Sequence, residues 1–490
     1  MEMEQELLQI VEKAKVLPKT LESRVKDPVK GIVYPQRYVF ILLQKYLKDF
    51  FKEGAEPRMV GLAGLRGVGK TTLMWQLARY AYNNITTNIW FFNVNSLMNL
   101  GYSIQEALLR MEGVLGCKLN EYDKPIVFLF DEVHDDPKWA KTLKILYDEC
   151  RTAFVIATGS SALLINQTPD LAARMKVEKI YPFKFAEYIM SKNMMENGKK
   201  FFPMNGFAKD LSQGLFYCEN YEYLKNYFRF HFSVKKVNEF LQNTCAQLNG
   251  VKLEDLIKEY VYYHNIPRYS IYKNKSDINS GMNELVKRIV YEDVVRVKAS
   301  FAGNVYEKLL YRLAASDEVN VDKLSGLLSV NKKDLQEVIG ILDQSELINE
   351  LPPYSNSIDA RIVKNRKSFF MSPSIRRALL SNIYGDNVPD MMRSKMWEDI
   401  VVMYLVSILG KSFLSFSSRS DGVNPDFIID TFATDPIIVE VGQNKTSTRQ
   451  IAEHKGLYRY GIVVNVSAKE PEFVDSSKTL IVPLSWFLMM

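Results

Sequence analysis

MVGLAGLRGVGKTT, residues 59–72, decides the fold. A short uncharged run enters a glycine-rich turn, and a stretch with helical spacing, residues 70–83, leaves it. Residues 64–71, GLRGVGKT, fit the spacing G-x-x-x-x-G-K-[ST]. That spacing has a physical purpose. Gly64, Gly67 and Gly69 let bare backbone N–H groups turn inward toward phosphate oxygens, with Leu65, Arg66 and Val68 completing the turn. A helix beginning at Lys70 aims its positive end at the same place. Lys70 reaches the β- and γ-phosphates, and Thr71, followed by Thr72, offers a hydroxyl to Mg²⁺. The expected ligands are therefore ATP and Mg²⁺, held by residues 64–72.

Downstream, short apolar runs alternate with amphipathic stretches. IWFFNV (89–94), IVFLF (126–130) and FVIATG (154–159) read as buried strands, with helices near 103–112 and over 137–149. The alternation predicts an α/β domain with a parallel sheet. Two acids follow the second of these strands, in IVFLFDE (126–132). At the carboxyl edge of such a sheet, Asp131 holds Mg²⁺ and Glu132 polarises the attacking water as general base. In FVIATGSS (154–161), either Thr158 or Ser160 is the hydroxyl that touches the γ-phosphate or orients the water.

GLRGVGKTTL (64–73), FLFDEVH (128–134), WAKTLKILYDE (139–149) and ATGSSALL (157–164) resemble a prokaryotic and archaeal AAA-type P-loop ATPase family related to the initiator and STAND ATPases. The resemblance implies an arginine that senses the γ-phosphate, within the chain or across a subunit interface of a homo-oligomer. In LAARMKVEKIYPFKFAEYI (171–189), Arg174 occupies that position, with Ala173 where the family has Gly. HNIPRY (264–269), IVYEDVVR (289–296) and KSFFMSPSIRRALL (367–380) resemble the middle of the same family. Its members end in a domain similar to the restriction-endonuclease fold.

On this reading the chain divides into an N-terminal helix and linker (1–33), the P-loop ATPase domain (34–185), a helical lid (186–300), a winged helix (301–390) and a nuclease-like α/β domain (391–490). Tyr- and Phe-rich helices dominate 186–300, and their stripes are expected to be core. In 301–390, helices over 306–315, 321–328 and 331–344, capped at Asn331 or Ser329, precede two strands around a Pro/Ser/Asn turn. A nuclease-like set comprises Glu398 on a helix, Asp426 in PDFIID (425–430) and Glu440 in IIVEVGQNK (437–445). Two acids on a metal need a nearby lysine. The position sharing Glu440's strand face is Gly442, and Lys445 substitutes only if the strand has ended. Residues 361–377 contain Arg361, Lys364, Arg366, Lys367, Arg376 and Arg377 and no acid, which suits contact with DNA phosphates.

Composition sets the outer bounds. With 490 residues, 47% hydrophobic and 24% charged, the chain is globular and multidomain. A net charge of +6 permits nucleic-acid binding without arguing for it. Cys117, Cys150, Cys218 and Cys245, like the four histidines, lack metal-site spacing, so free thiols in a reducing cytoplasm are expected. The first residues, MEMEQELLQIVEK, are acidic and helical, and the longest uncharged run (152–169) is broken by polar residues, so no membrane segment is expected. Three functions follow: an ATP-driven switch acting on DNA, an ATP-gated Mg²⁺-dependent nuclease, or an ATP-binding scaffold for a protein partner.

Overall fold

Five parallel strands organise the first part of the chain: β1 (Met59–Ala63), β2 (Ile89–Asn93), β3 (Ile126–Asp131), β4 (Ala153–Gly159) and β5 (Lys176–Lys179), in the order β2-β3-β4-β1-β5. The computed structural model describes residues 2–159, 171, 173–294, 303–316, 318–355, 366–417, 424–431, 435–443, 448–454 and 456–490. The chain forms two compact units, Met1–Tyr181 and Pro182–Met490. Among the described residues no helix is long and apolar enough to cross a membrane.

β1, β3 and β4 are buried along their whole lengths, which is why they read as unbroken apolar runs. Helices Lys70–Asn84, Ile104–Leu115 and Trp139–Glu149 connect the strands. Phe92, Phe128 and Phe130 stack in one core layer with Trp90 and Met111. Each such side chain contributes roughly 1.5–3 kcal/mol by leaving water. Within the N-terminal helix and linker segment, helix Glu2–Ala14 lays its stripe Leu7, Ile10, Val11 and Ala14 against that core.

The second unit takes in all three segments that the sequence sets apart after residue 185. Its aromatic helices are core, as Tyr188, Tyr260 and Phe207 show. Helices Gly303–Ala315, Val321–Leu328 and Lys332–Gln344 accompany a three-stranded antiparallel sheet. Its strands β6 (Glu318–Val319), β7 (Ile348–Leu351) and β8 (Arg366–Phe370) run in the order β6-β8-β7. Asn331 caps the third helix, its side chain accepting from Lys333 N at 2.8 Å, whereas Ser329 ends the second helix. Beyond lies a six-stranded sheet of β9 (Leu414–Ser415), β10 (Phe427–Ile429), β11 (Ile437–Gly442), β12 (Gly461–Asn465), β13 (Glu472–Val474) and β14 (Thr479–Pro483). The order is β13-β14-β12-β11-β10-β9, with β11, β12 and β14 parallel.

A buried ion pair ties two helices of this unit together. Arg376, from helix Pro373–Tyr384, and Asp399, from helix Asp390–Leu409, are both fully buried. Nε meets Oδ2 at 2.6 Å and Nη2 meets Oδ1 at 2.8 Å, a bidentate match. Ala314 O accepts from Nη1 at 2.9 Å, and Oδ1 accepts from Phe370 N at 2.8 Å. The expected basic face over 361–377 is thereby corrected. Arg361 and Lys364 lie outside the described residues, Arg376 is consumed by Asp399, and the Arg377 side chain is 7% exposed. A buried guanidinium keeps its charge and is costly unless paired, so Arg376, saturated by Asp399, serves packing and is withdrawn from any DNA-facing surface.

A second polar node lies at the end of helix Leu253–Glu259. Glu259 Oε1 lies 2.9 Å from Lys192 Nζ and 3.3 Å from His264 Nε2. Burial works against the ionised carboxyl, but hydrogen bonds from His264 and Lys192 outweigh it and hold Glu259 at about 2.

Two outcomes are expected. Asp399→Asn strands the Arg376 charge and lowers the unfolding free energy of the second unit by about 3–5 kcal/mol in urea titration. The Glu259 pair contributes fully above the ordinary carboxyl value of 4.5 and is lost as pH falls toward about 2. Glu259→Gln therefore flattens the acid limb of the stability curve in that window.

Candidate nucleotide site

β1 delivers the chain to Gly64 at the carboxyl edge of the sheet. A Cβ on Gly64 would lie 2.3 Å from Ile180 O, so only glycine fits between the loop and the end of β5. Gly69 has φ 92° and caps helix Lys70–Asn84. Leu65 and Val68 tuck inward, 1% and 0% exposed, which anchors the turn while its backbone faces outward. Lys70 is buried, and its Nζ donates to Gly64 O at 2.7 Å and Leu65 O at 3.4 Å.

Strand order brings the rest together. β4 lies between β1 and β3, and the register pairs Leu62 with Thr158 and Phe130 with Ala157. Thr158 thus falls level with Asp131. Its hydroxyl donates to Asp131 Oδ1 and accepts from Glu132 N at 3.0 Å. Thr71 Oγ1 donates to the same carboxylate, at 3.1 Å from Oδ1. Burial raises the Asp131 pKa, as does the charge of Glu132, while the Thr158 and Thr71 bonds and Lys70 oppose the rise. An ionised Asp131 without a counter-cation is thus disfavoured, which suits a carboxylate built to face a divalent ion. The amide-lined turn, Lys70, Thr71 and Asp131 fit a Mg²⁺-bound triphosphate.

Glu132 adopts the left-handed conformation, φ 56° and ψ 49°, unusual for a residue with a side chain. Its Oε2 stands 3.4 Å from His134 Nδ1. His134 is a neighbour that scattered histidines in the sequence did not single out. The only signal was its position two residues beyond Glu132. Arg37 was also missed: its Nη1 donates to Val68 O at 2.8 Å, and Gln76 Nε2 donates to Tyr34 O at 3.0 Å, drawing residues 34–37 alongside the loop. Nothing in a chain separation of thirty-one residues announces that contact.

Other candidates fall elsewhere. Ser160 and Lys445 lie outside the described residues. Arg66 and Thr72 are half-buried on the loop and helix. Arg174 precedes β5, whose Lys176 pairs with Val60 at the start of β1. Two residues before β5, it sits at the opposite edge of the sheet from Gly64, six residues and roughly 20 Å away at about 3.3 Å per residue. There its Nε meets Asp148 Oδ1 at 2.8 Å. This corrects any γ-phosphate contact within the same chain, since an arginine side chain is too short to cross the sheet.

The nuclease-like set is split. Phe427 pairs with Val439 in antiparallel register, which sets Asp426 opposite Glu440. Asp426 Oδ2 accepts from Val441 N at 2.7 Å, and Glu440 is 1% exposed. Glu398 does not complete the set: among the described residues no group of three or more His, Cys, Asp or Glu side chains is arranged to hold a metal. The helix phase explains this, because neighbouring Asp399 is the acid turned into the core. Gly442, half-buried in β11, pairs with Asn465.

Residues 56–189 match the family described as an AAA domain, and residues 255–384 match a domain of unknown function, DUF8612. The uncharacterized protein MJ1637 of Methanocaldococcus jannaschii is 28% identical over 422 residues, covering 85% of this chain and 82% of that protein. The Aeropyrum pernix ORC1 protein in complex with DNA aligns over 76% of this chain and 96% of its own, at 14% identity and TM-score 0.31. The Thermotoga maritima RuvB Holliday junction branch migration motor aligns over 65% and 90%, at 15% identity and TM-score 0.28. Superpositions this loose carry no argument about activity. The residues matched by the AAA-domain model, 56–189, are those that carry the five-stranded parallel sheet and the glycine-rich loop.

Proposed function

We propose that the chain binds ATP with Mg²⁺ at residues 64–72 and hydrolyses it, acting as a nucleotide-driven switch on DNA. The observation that carries this reading is the linked set Lys70, Thr71, Asp131 and Thr158 at one sheet edge, with Glu132 beside it. The loop amides and Lys70 bind the phosphates. Thr71 Oγ1 and Asp131 hold the ion, which when bound neutralises charge between the phosphates. Glu132 takes the proton from the attacking water at its carboxylate, and Thr158 fixes both acids. Arg174, facing away from its own loop, serves a neighbouring protomer's phosphate in a homo-oligomer.

DNA as the target rests on a winged helix at 301–390. Its support is the element order helix, strand, helix, helix, strand, strand and the β6-β8-β7 sheet. Arg366 and Lys367, half-buried on β8, are described cations of that stretch placed for phosphate contact. A second reading, an ATP-gated nuclease of the restriction-endonuclease type, has one observation in its favour, the side-by-side Asp426 and Glu440.

Calorimetry and phosphate release test the first reading. Lys70→Ala abolishes binding of magnesium-loaded ATP. Glu132→Gln binds ATP but hydrolyses it about 10²–10⁴-fold more slowly; hydrolysis at the parent rate rejects Glu132 as the base. Thr158→Val, which removes one hydroxyl serving both acids, slows turnover by roughly 10–100-fold with the fold intact by circular dichroism. For the second reading, plasmid nicking with Mn²⁺ disappears in Glu440→Gln, and equal nicking by both proteins rejects it.

A further inference from the structure

The second unit contains a cleft of about 560 Å³ that the nucleotide site does not use. One wall is the π-helical turn Tyr260–His264, which ends where the HNIPRY segment begins. Ligand clefts of this size are mostly apolar, yet this one is lined by five cations, Lys258, Lys273, Lys275, Arg377 and Arg393. The carboxylates opposing them are Asp255, Glu259 and Asp386.

Two of those three acids are already engaged. Glu259 is held ionised by Lys192 and His264 behind the wall. Asp386, on a side chain 87% exposed, lies 3.3 Å from Arg377 Nη2. The cations are engaged less. Lys258 and Lys273 make no ion pair among the described residues, and Lys275 lies 5.2 Å over the Tyr263 ring. Arg377 is buried, with its guanidinium 4.2 Å over the same ring and Nη1 donating to Asn279 Oδ1 at 3.1 Å. Its orientation is therefore set by the fold, and among the described residues its carboxylate partner, Asp386, is solvent-exposed and weakly held.

The geometry points to this cleft as a binding site for a phosphate-ester anion, with the pre-set Arg377 fork on its oxygens and Lys258, Lys273 and Lys275 around it. Arg377 is paired with Asp386 and Arg393 Nη1 lies 3.2 Å from Asp390 Oδ1, so Lys258, Lys273 and Lys275 face one remaining lining carboxylate, Asp255, and a ligand carrying a single charge leaves part of that excess uncompensated. A diphosphate, or successive phosphodiesters, matches several converging charges and the two-pronged guanidinium. The site is independent of the loop at 64–72 and assigns a ligand class to the region of unknown function.

The test uses the full chain carrying Lys70→Ala, which removes phosphate binding at the loop. One arm measures fluorescence anisotropy of a labelled single-stranded oligodeoxynucleotide, and the other measures thermal stabilisation by inorganic pyrophosphate. Adding Lys258→Ala and Lys273→Ala, both at exposed positions, weakens binding of at least one probe by roughly tenfold or more. For the oligonucleotide, the slope of log affinity against log salt becomes shallower by about 1.4, the loss of two single-strand phosphate contacts. Loss of oligonucleotide binding identifies a nucleic-acid backbone, and loss of pyrophosphate binding alone identifies a small phosphate ester. A control pair at exposed positions elsewhere, Lys209→Ala with Lys235→Ala, leaves both probes unchanged. The proposal is overturned if neither probe binds, if the cleft variant binds both as its parent does, or if the control pair weakens binding equally.

Discussion

Thr158 has one hydroxyl and two acids depend on it. It donates to the carboxylate of Asp131 and accepts from the backbone of Glu132. Because it is fully buried, neither bond competes with water, and both hold their geometry without ligand. This is possible only because β4 lies between the strand feeding the glycine loop and the strand ending in the acids. A strand order that moved Thr158 away would leave the buried Asp131 with the Thr71 hydroxyl alone, a costly state for a carboxylate. The strand order and the acid pair are thus one constraint seen at two scales.

The two units obey different rules for buried charge. In the first, Asp131 is placed where its ionised form is disfavoured and a cation is welcome. In the second, Asp399 is saturated by Arg376 and by a backbone amide, leaving it nothing to offer a ligand. Adjacent acids on one helix, Glu398 and Asp399, therefore have different roles, and a one-residue step of about 100° separates them.

Local patterns were legible in the sequence and long-range ones were not. β1, β3 and β4 announced themselves because strands buried on both faces have no polar alternation to obscure them. The loop spacing located Gly64 through Thr71, and Asn331 was among the caps named for its helix. Arg376 read as part of a basic run because an unpaired sequence cannot display its carboxylate partner twenty-three residues away. Helix Glu2–Ala14 read as polar because Leu7, Ile10, Val11 and Ala14, interspersed with charged and amide residues, look sparse until the helix aligns them on one face. Arg174 looked close to the phosphates, and only the parallel pairing of β5 with β1 moves it to the far edge. The position of Arg37 beside Val68 O needed tertiary structure altogether.

Lys70 carries a consequence for selectivity. Its ammonium group donates to two carbonyls of its own turn. An incoming anion must dislodge those contacts before it gains the ammonium. A lone phosphate offers little beyond what it displaces, whereas a chain of phosphates engages the ammonium, the turn amides and the helix terminus together. The loop is in effect self-stoppered, and the stopper yields to ligands that make several contacts at once.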